Sequence, residues 1–298
     1  MTQRNTLLAL GVGVLVVSTA SVLIRELLRL EVSASTVAAL RLSIASLVMA
    51  IATFGSLGAF QKISFRVLSL TAISGICLAA HFITWIQSLK FIPVATSTFL
   101  VTTSPIWVAL FSFFFLKETV GKKQFLGILI AIGGAGIVLS TSPENSVSSE
   151  GLLGETLAVI GAVSIAIYFV IARSLKEKID LRVFVFLAYL FASFVVIIWM
   201  LIENTESIMI PNDAWVFLIA LALGPQAIGH TIFNWAVRRL PATTVSTAIL
   251  GEPIFASILA WWWLSEKIDP VSAIGFITIV IGILISTRTA LSKASASM

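Results

Sequence analysis

The sequence predicts an all-α polytopic membrane protein, ten transmembrane helices arranged as two inverted halves of five. Three observations predict it. Hydrophobic residues make up 58% of the 298 and charged residues only 11%, against about 25% charged in a soluble domain. With a mean hydropathy of +1.07, too few polar side chains remain to cover a soluble protein of this size. The polar clusters also cut the chain into apolar runs of about 20 residues, the length that crosses a bilayer core. Finally, the second half of the chain repeats the first.

In order, the predicted spans are 6–24, 34–55, 67–89, 93–116, 123–140, 152–172, 182–202, 214–236, 241–264 and 270–287. The first has the outline of a secretory signal, with Arg4 ahead of an apolar run and Ser18-Thr19-Ala20 as a small-residue cleavage site. Its place in the repeat assigns it instead to a retained helix. The longest polar stretch, STSPENSVSSEG, falls between the fifth and sixth spans and divides the chain into units 1–141 and 152–298.

Orientation follows from the basic residues, which favour cytoplasmic loops. With the N-terminus inside, the cytoplasmic connections hold 14 Lys and Arg and the outer ones 4, namely Arg25, Arg29, Lys90 and Lys267. Both termini are therefore expected in the cytoplasm of a cell that keeps the protein in its inner or plasma membrane. The net charge of +5 invites a nucleic-acid reading. The positive residues are scattered through short connections and form no patch interleaved with aromatics, so no nucleic-acid partner is expected. The one cysteine, Cys77, sits in an apolar run and excludes an intrachain disulfide.

The repeat is visible without a gap. Shifting FIPVATSTFLVTTSPIWVALFSFFFLKETV by 148 residues onto RLPATTVSTAILGEPIFASILAWWWLSEKI aligns Pro93 with Pro241, Pro105 with Pro253 and Glu118 with Glu266. The same shift aligns Gly127 with Gly275, Gly134 with Gly282 and Arg25 with Arg173. A unit of five spans reverses its direction in the membrane when duplicated. The charges agree, since LKETVGKK is basic and its counterpart LSEKIDP is acid-rich. Inverted repeats of this kind mark secondary transporters. Each paired block carries a proline, a second proline in mid-helix, then L-x-E and a glycine-rich last helix. Over essentially the whole chain this pattern resembles the EamA family of the drug/metabolite transporter superfamily, as two EamA units. The resemblance implies a central cavity between the halves, and export of amino acids or other small metabolites.

Polar residues at membrane depth supply the candidate site. Glu252 stands near the middle of the ninth span, where an unpaired carboxylate costs several kcal/mol. Pro253 follows it, and a proline donates no hydrogen bond and leaves the carbonyl of Ile249 without its usual partner. Such backbone is tolerated where it lines a wet cavity or is buried in protein. A substrate or proton site is one reading, and a structural carboxylate the other. Ser104 before Pro105 is the matching position in the first half, so the halves share a kink but not the charge. In the eighth span Gln226, His230 and Asn234 recur at i, i+4 and i+8 on one helix face, which suits a cavity lining or a helix–helix hydrogen-bond seam. His81, Thr84 and Trp85 in the third span recur at similar spacing, and His81 matches His230 only with one gap. Arg41 is expected to be structural, paired with Glu26 or Glu31 near the outer surface or reaching outward. Trp261, Trp262 and Trp263 are expected in an interfacial aromatic belt.

Nothing in the chain has the spacing of a catalytic motif, a P-loop or a metal site, so no enzyme activity, cofactor or metal is expected. The expected partners are a small-molecule substrate, the lipid bilayer and, as one way to couple transport, protons. An intramembrane enzyme built on a hidden His–Glu pair and a passive channel are the rival classes. Within the transporter class a sugar-phosphate or nucleotide-sugar exchanger is the alternative, disfavoured because mid-span Lys and Arg are almost absent where phosphate would want them.

Overall fold

The computed structural model describes residues 3–61, 63–92, 94–140, 149–203, 210–264, 268 and 270–296. Within them, nine helices are long and apolar enough to cross a membrane. These are α1 (Arg4–Arg29), α2 (Ala34–Ser56), α3 (Phe65–Ser88), α4 (Thr96–Leu116), α6 (Glu150–Ser174), α7 (Leu181–Glu203), α8 (Ala214–Val237), α9 (Ala242–Trp263) and α10 (Pro270–Thr287). The remaining expected span forms the 19-residue helix α5 (Lys122–Ser140), about 28 Å long at 1.5 Å per residue. Residues 141–148 of the midchain linker, and Glu266 and Lys267, lie outside the described residues.

The helices pack with polar groups inward and apolar groups outward, as lipid requires. Thr243, Thr244, Ser246, Thr247, Gln226 and Asn234 are buried. Phe113, Phe114, Phe115 and Trp261, Trp262, Trp263 are exposed at corresponding positions of the two halves. Because lipid tails are as apolar as leucine, helices associate there through close packing and interhelical hydrogen bonds. Gln124 supplies one such bond, donating from Nε2 to Thr243 Oγ1 at 3.0 Å.

Packing also shows how the halves relate. Helices α5 and α10 pair most extensively, followed by α3 with α6, α2 with α7, α1 with α8, α4 with α6, α3 with α7, α2 with α8 and α1 with α9. Exchanging each helix with the one five places along maps this set onto itself, as a two-fold relation between halves demands. At the α5–α10 crossing Gly127 lies against Gly282, and Gly134 against Gly275. The early glycine of one helix meets the late glycine of the other, so the two helices run antiparallel. A Cβ on any of the four would fall under 3 Å from partner backbone; only glycine permits this approach.

Two spans are broken just ahead of a proline. In α4 the helical segment Val94–Val101 ends and Ser104–Phe111 begins. In α9 the break separates Ala242–Ile249 from Glu252–Leu264. Pro105 and Pro253 are the second residues of the second segments, where a missing N–H does no harm. Both breaks thus follow from the prolines the repeat aligned. A third irregularity is a nine-residue π-helix, Ala222–His230, around Pro225 in α8. Such segments are rare and gather at functional sites.

Candidate functional site

One cavity lies between the halves, at the level of the two breaks. Val17 from α1, His81 and Trp85 from α3, and Thr98, Val101, Thr102 and Ser104 from α4 line it from the first half. Ile165 and Phe169 from α6, His230 and Phe233 from α8, and Ile249 and Glu252 from α9 line it from the second. Four couples in this lining are 148 residues apart: Val17 with Ile165, Trp85 with Phe233, Val101 with Ile249, and Ser104 with Glu252. The cavity therefore straddles the two-fold relation between the halves. Its shape is duplicated, but its chemistry is not, because serine faces glutamate and tryptophan faces phenylalanine.

Glu252 opens the second segment of α9 and is 7% exposed, on the cavity. A helix N-terminus favours negative charge there. No side chain or backbone group among the described residues hydrogen-bonds its carboxylate; the nearest compensation is the Arg41 charge, within electrostatic reach. His81 donates through Nδ1 to the Gly161 carbonyl at 3.0 Å and stacks on Trp85 with ring centres 5.9 Å apart. His230 meets Phe82 edge-on at 5.4 Å, and Phe82 is the residue 148 positions before it.

The structure brings Glu252, His230, His81, Trp85 and Ser104 together on the cavity and leaves the other sequence candidates off it. Asn234 is fully buried and donates through Nδ2 to the carbonyl of His230, one turn back in its own helix. Thr84 donates to the carbonyl of Ala80 in the same way and faces Gly161 of α6. Gln226 is fully buried and accepts from Arg41 Nε at 2.7 Å. Pro105 and Pro253 act through the backbone, at the two breaks.

Arg41 differs from the expectation. It neither pairs with Glu26 or Glu31 nor reaches outward: Glu26 accepts instead from Arg29 at 3.3 Å, and Arg41 is completely buried. Its guanidinium lies 4.1 Å above the Phe82 ring. Tyr189, its repeat counterpart, donates to the backbone carbonyl of the same Gln226 at 3.1 Å. The 148-residue shift was the available signal for the apolar lining, since applying it to Trp85 and Val101 points to Phe233 and Ile249. Nothing local in the sequence pointed to the Arg41–Gln226 contact, which spans 185 residues.

The space that water can occupy in the cavity is about 40 Å³, enough for about three molecules.

A bundle of apolar helices whose repeated halves enclose a central cavity on a two-fold relation has the architecture of a membrane transporter. The EamA-like transporter family matches the chain twice, over residues 5–140 and 152–288, and the chain belongs to that family. An uncharacterized transporter of Archaeoglobus fulgidus is 24% identical over 74% of this chain and 75% of its own. A probable terminal-alkyne amino-acid exporter of Streptantibioticus cattleyicolor is 24% identical over 85% and 84%. The pseudopaline exporter CntI of Pseudomonas aeruginosa is 25% identical over 73% and 74%. A solved crystal structure superposes with a TM-score of 0.82 over 98% of this chain and 99% of that one at 19% identity, a likeness of fold.

Proposed function

We propose that this chain is a secondary exporter of small metabolites, amino acids or their relatives, working by alternating access. The observation that carries the reading is the cavity itself, lined by repeat-related positions at two helix breaks. A site on the axis between inverted halves is reached equally from either side as the halves rock, which is how such repeats move cargo. Two relatives named as exporters, one of an amino acid, support the cargo class. In this reading Glu252 receives the cationic amine of the cargo or a coupling proton, Trp85, Phe233 and Phe169 hold its apolar part, and both termini face the cytoplasm. A sugar-phosphate cargo fits less well, because no Lys or Arg lines the cavity and a carboxylate does.

A metabolite-toxicity screen on cells overexpressing the protein, followed by uptake of the best hit into liposomes, tests the cargo. Glu252→Gln then separates the two roles, since the amide keeps the shape but neither titrates nor carries charge. A coupling role predicts loss of accumulation driven by a pH gradient with exchange retained. An amine contact predicts a fall in both binding and exchange. Unchanged rates and pH dependence in the variant would sink both roles and leave the carboxylate structural.

A further inference from the structure

Arg41 is an anomaly that the cavity alone does not absorb. It is 0% exposed, and its Nη1 and Nη2 have no hydrogen-bond partner. The side-chain nitrogen of Gln226 and Nε1 of Trp85 are likewise buried without one. A buried charge left without partners is strongly unfavourable, and each of these four donor nitrogens lacks an acceptor. The way the guanidinium is held gives that deficit a shape. Its Nε edge is fixed on Gln226 Oε1 and its face lies on Phe82. What remains free is the edge bearing Nη1 and Nη2, the fork that grips a carboxylate with two parallel bonds.

We propose that Arg41, with Gln226, is an anion seat behind the cavity that takes the carboxylate of the cargo, opposite Glu252. The proposal rests on the reading above, in which a small metabolite enters this cavity. Charge balance supports a zwitterion. Arg41 and Glu252 lie within reach of each other's field and together are neutral. A zwitterion engages both poles and adds no net charge, whereas a dianionic phosphate or a plain cation leaves the low-dielectric core unbalanced. The route to the seat is short. His230 and Trp85 line the cavity, and Phe82 contacts both of these rings and carries the guanidinium on its face. Gln226 and His230 belong to the π-helix Ala222–His230. Because Pro225 donates no hydrogen bond, this is the element whose displacement exposes the fork as the cavity expands.

The test compares the common amino acids with their α-carboxamides, which keep the amine and lose the carboxylate, for binding to the full-length protein in nanodiscs. In the wild type, at least one acid binds about tenfold or more tighter than its amide, the loss expected when a buried polar group is left unpaired. Arg41→Met, of similar bulk and apolar, brings acid and amide to within about twofold, while the amide still binds. A merely structural arginine would weaken both ligands alike and leave their ratio in place. An undiminished ratio in Arg41→Met therefore overturns the seat and spares the exporter reading. No binding of any acid or amide to the wild type overturns the amino-acid cargo and the seat with it. Should the Met variant fail to fold, Arg41→Lys keeps the charge without the two-pronged edge and reads the same ratio, expected between the other two; the wild-type ratio there overturns the seat.

Discussion

Two adjacent glycines in α5 make opposite predictions from one substitution. At Gly134 an added Cβ would lie 2.6 Å from the Ile279 amide nitrogen and 2.7 Å from the Gly275 carbonyl oxygen. Both are backbone atoms of α10 and have no side-chain freedom with which to yield. Ordinary contact begins at 3.4 Å, so the helices must separate by about 0.8 Å at their crossing, forfeiting dispersion contacts along the pair. Overpacking of this kind costs about 1–3 kcal/mol. At Gly133 the Cβ would meet nothing within 4 Å, and alanine there is more favourable in a helix by up to about 1 kcal/mol. The propensity gain is common to both substitutions, so Gly134→Ala and Gly133→Ala should differ by the overpacking, about 1–3 kcal/mol, in reversible unfolding by sodium dodecyl sulfate from mixed micelles. Equal stability of the two variants would refute the glycine crossing, and with it the antiparallel α5–α10 pair as the seam between the halves.

Other expectations follow from particular contacts. Arg173 joins the end of α6 to Glu118 at 3.0 Å and to the Val237 carbonyl at 3.0 Å, with its side chain 14% exposed, so Arg173→Ala should lower stability by about 1–3 kcal/mol. Lys176→Ala, which breaks only an exposed pair with Glu177, should cost at most about 1 kcal/mol; matching melting temperatures would contradict this ranking. His230→Ala should reduce liposome transport while leaving abundance intact, whereas Asn234→Ala, away from the cavity, should act through stability. Equal transport loss per folded molecule at both positions would remove the distinction. Accessibility reporters at both termini and in the 174–181 connection should face the cytoplasm, and one in the 141–151 linker should face outward. A cytoplasmic linker would overturn the orientation.

The sequence by itself determined the spans, the duplication and the position of one carboxylate at membrane depth. Spans are legible because bilayer thickness sets a length and hydrocarbon tolerates few polar groups, constraints that act locally along the chain. Glu252-Pro253 was legible for the same reason, since a charge and a missing donor in an apolar run contradict their surroundings. Pairing of Pro105 with Pro253 was legible because duplication preserves register. Tertiary structure alone decided which polar residues of a helix face the cavity. Gln226, His230 and Asn234 recur at the same spacing, yet they meet Arg41, the cavity and their own helix respectively. Arg41 shows the limit most plainly. It lies seven residues into α2, about 10 Å along the axis from Ala34, where sequence reasoning allows it to reach the surface. What holds it inward is Gln226, 185 residues away, and the face of Phe82. Side-chain direction in a bundle depends on which neighbouring helix stands opposite, and that is a property of the assembled fold.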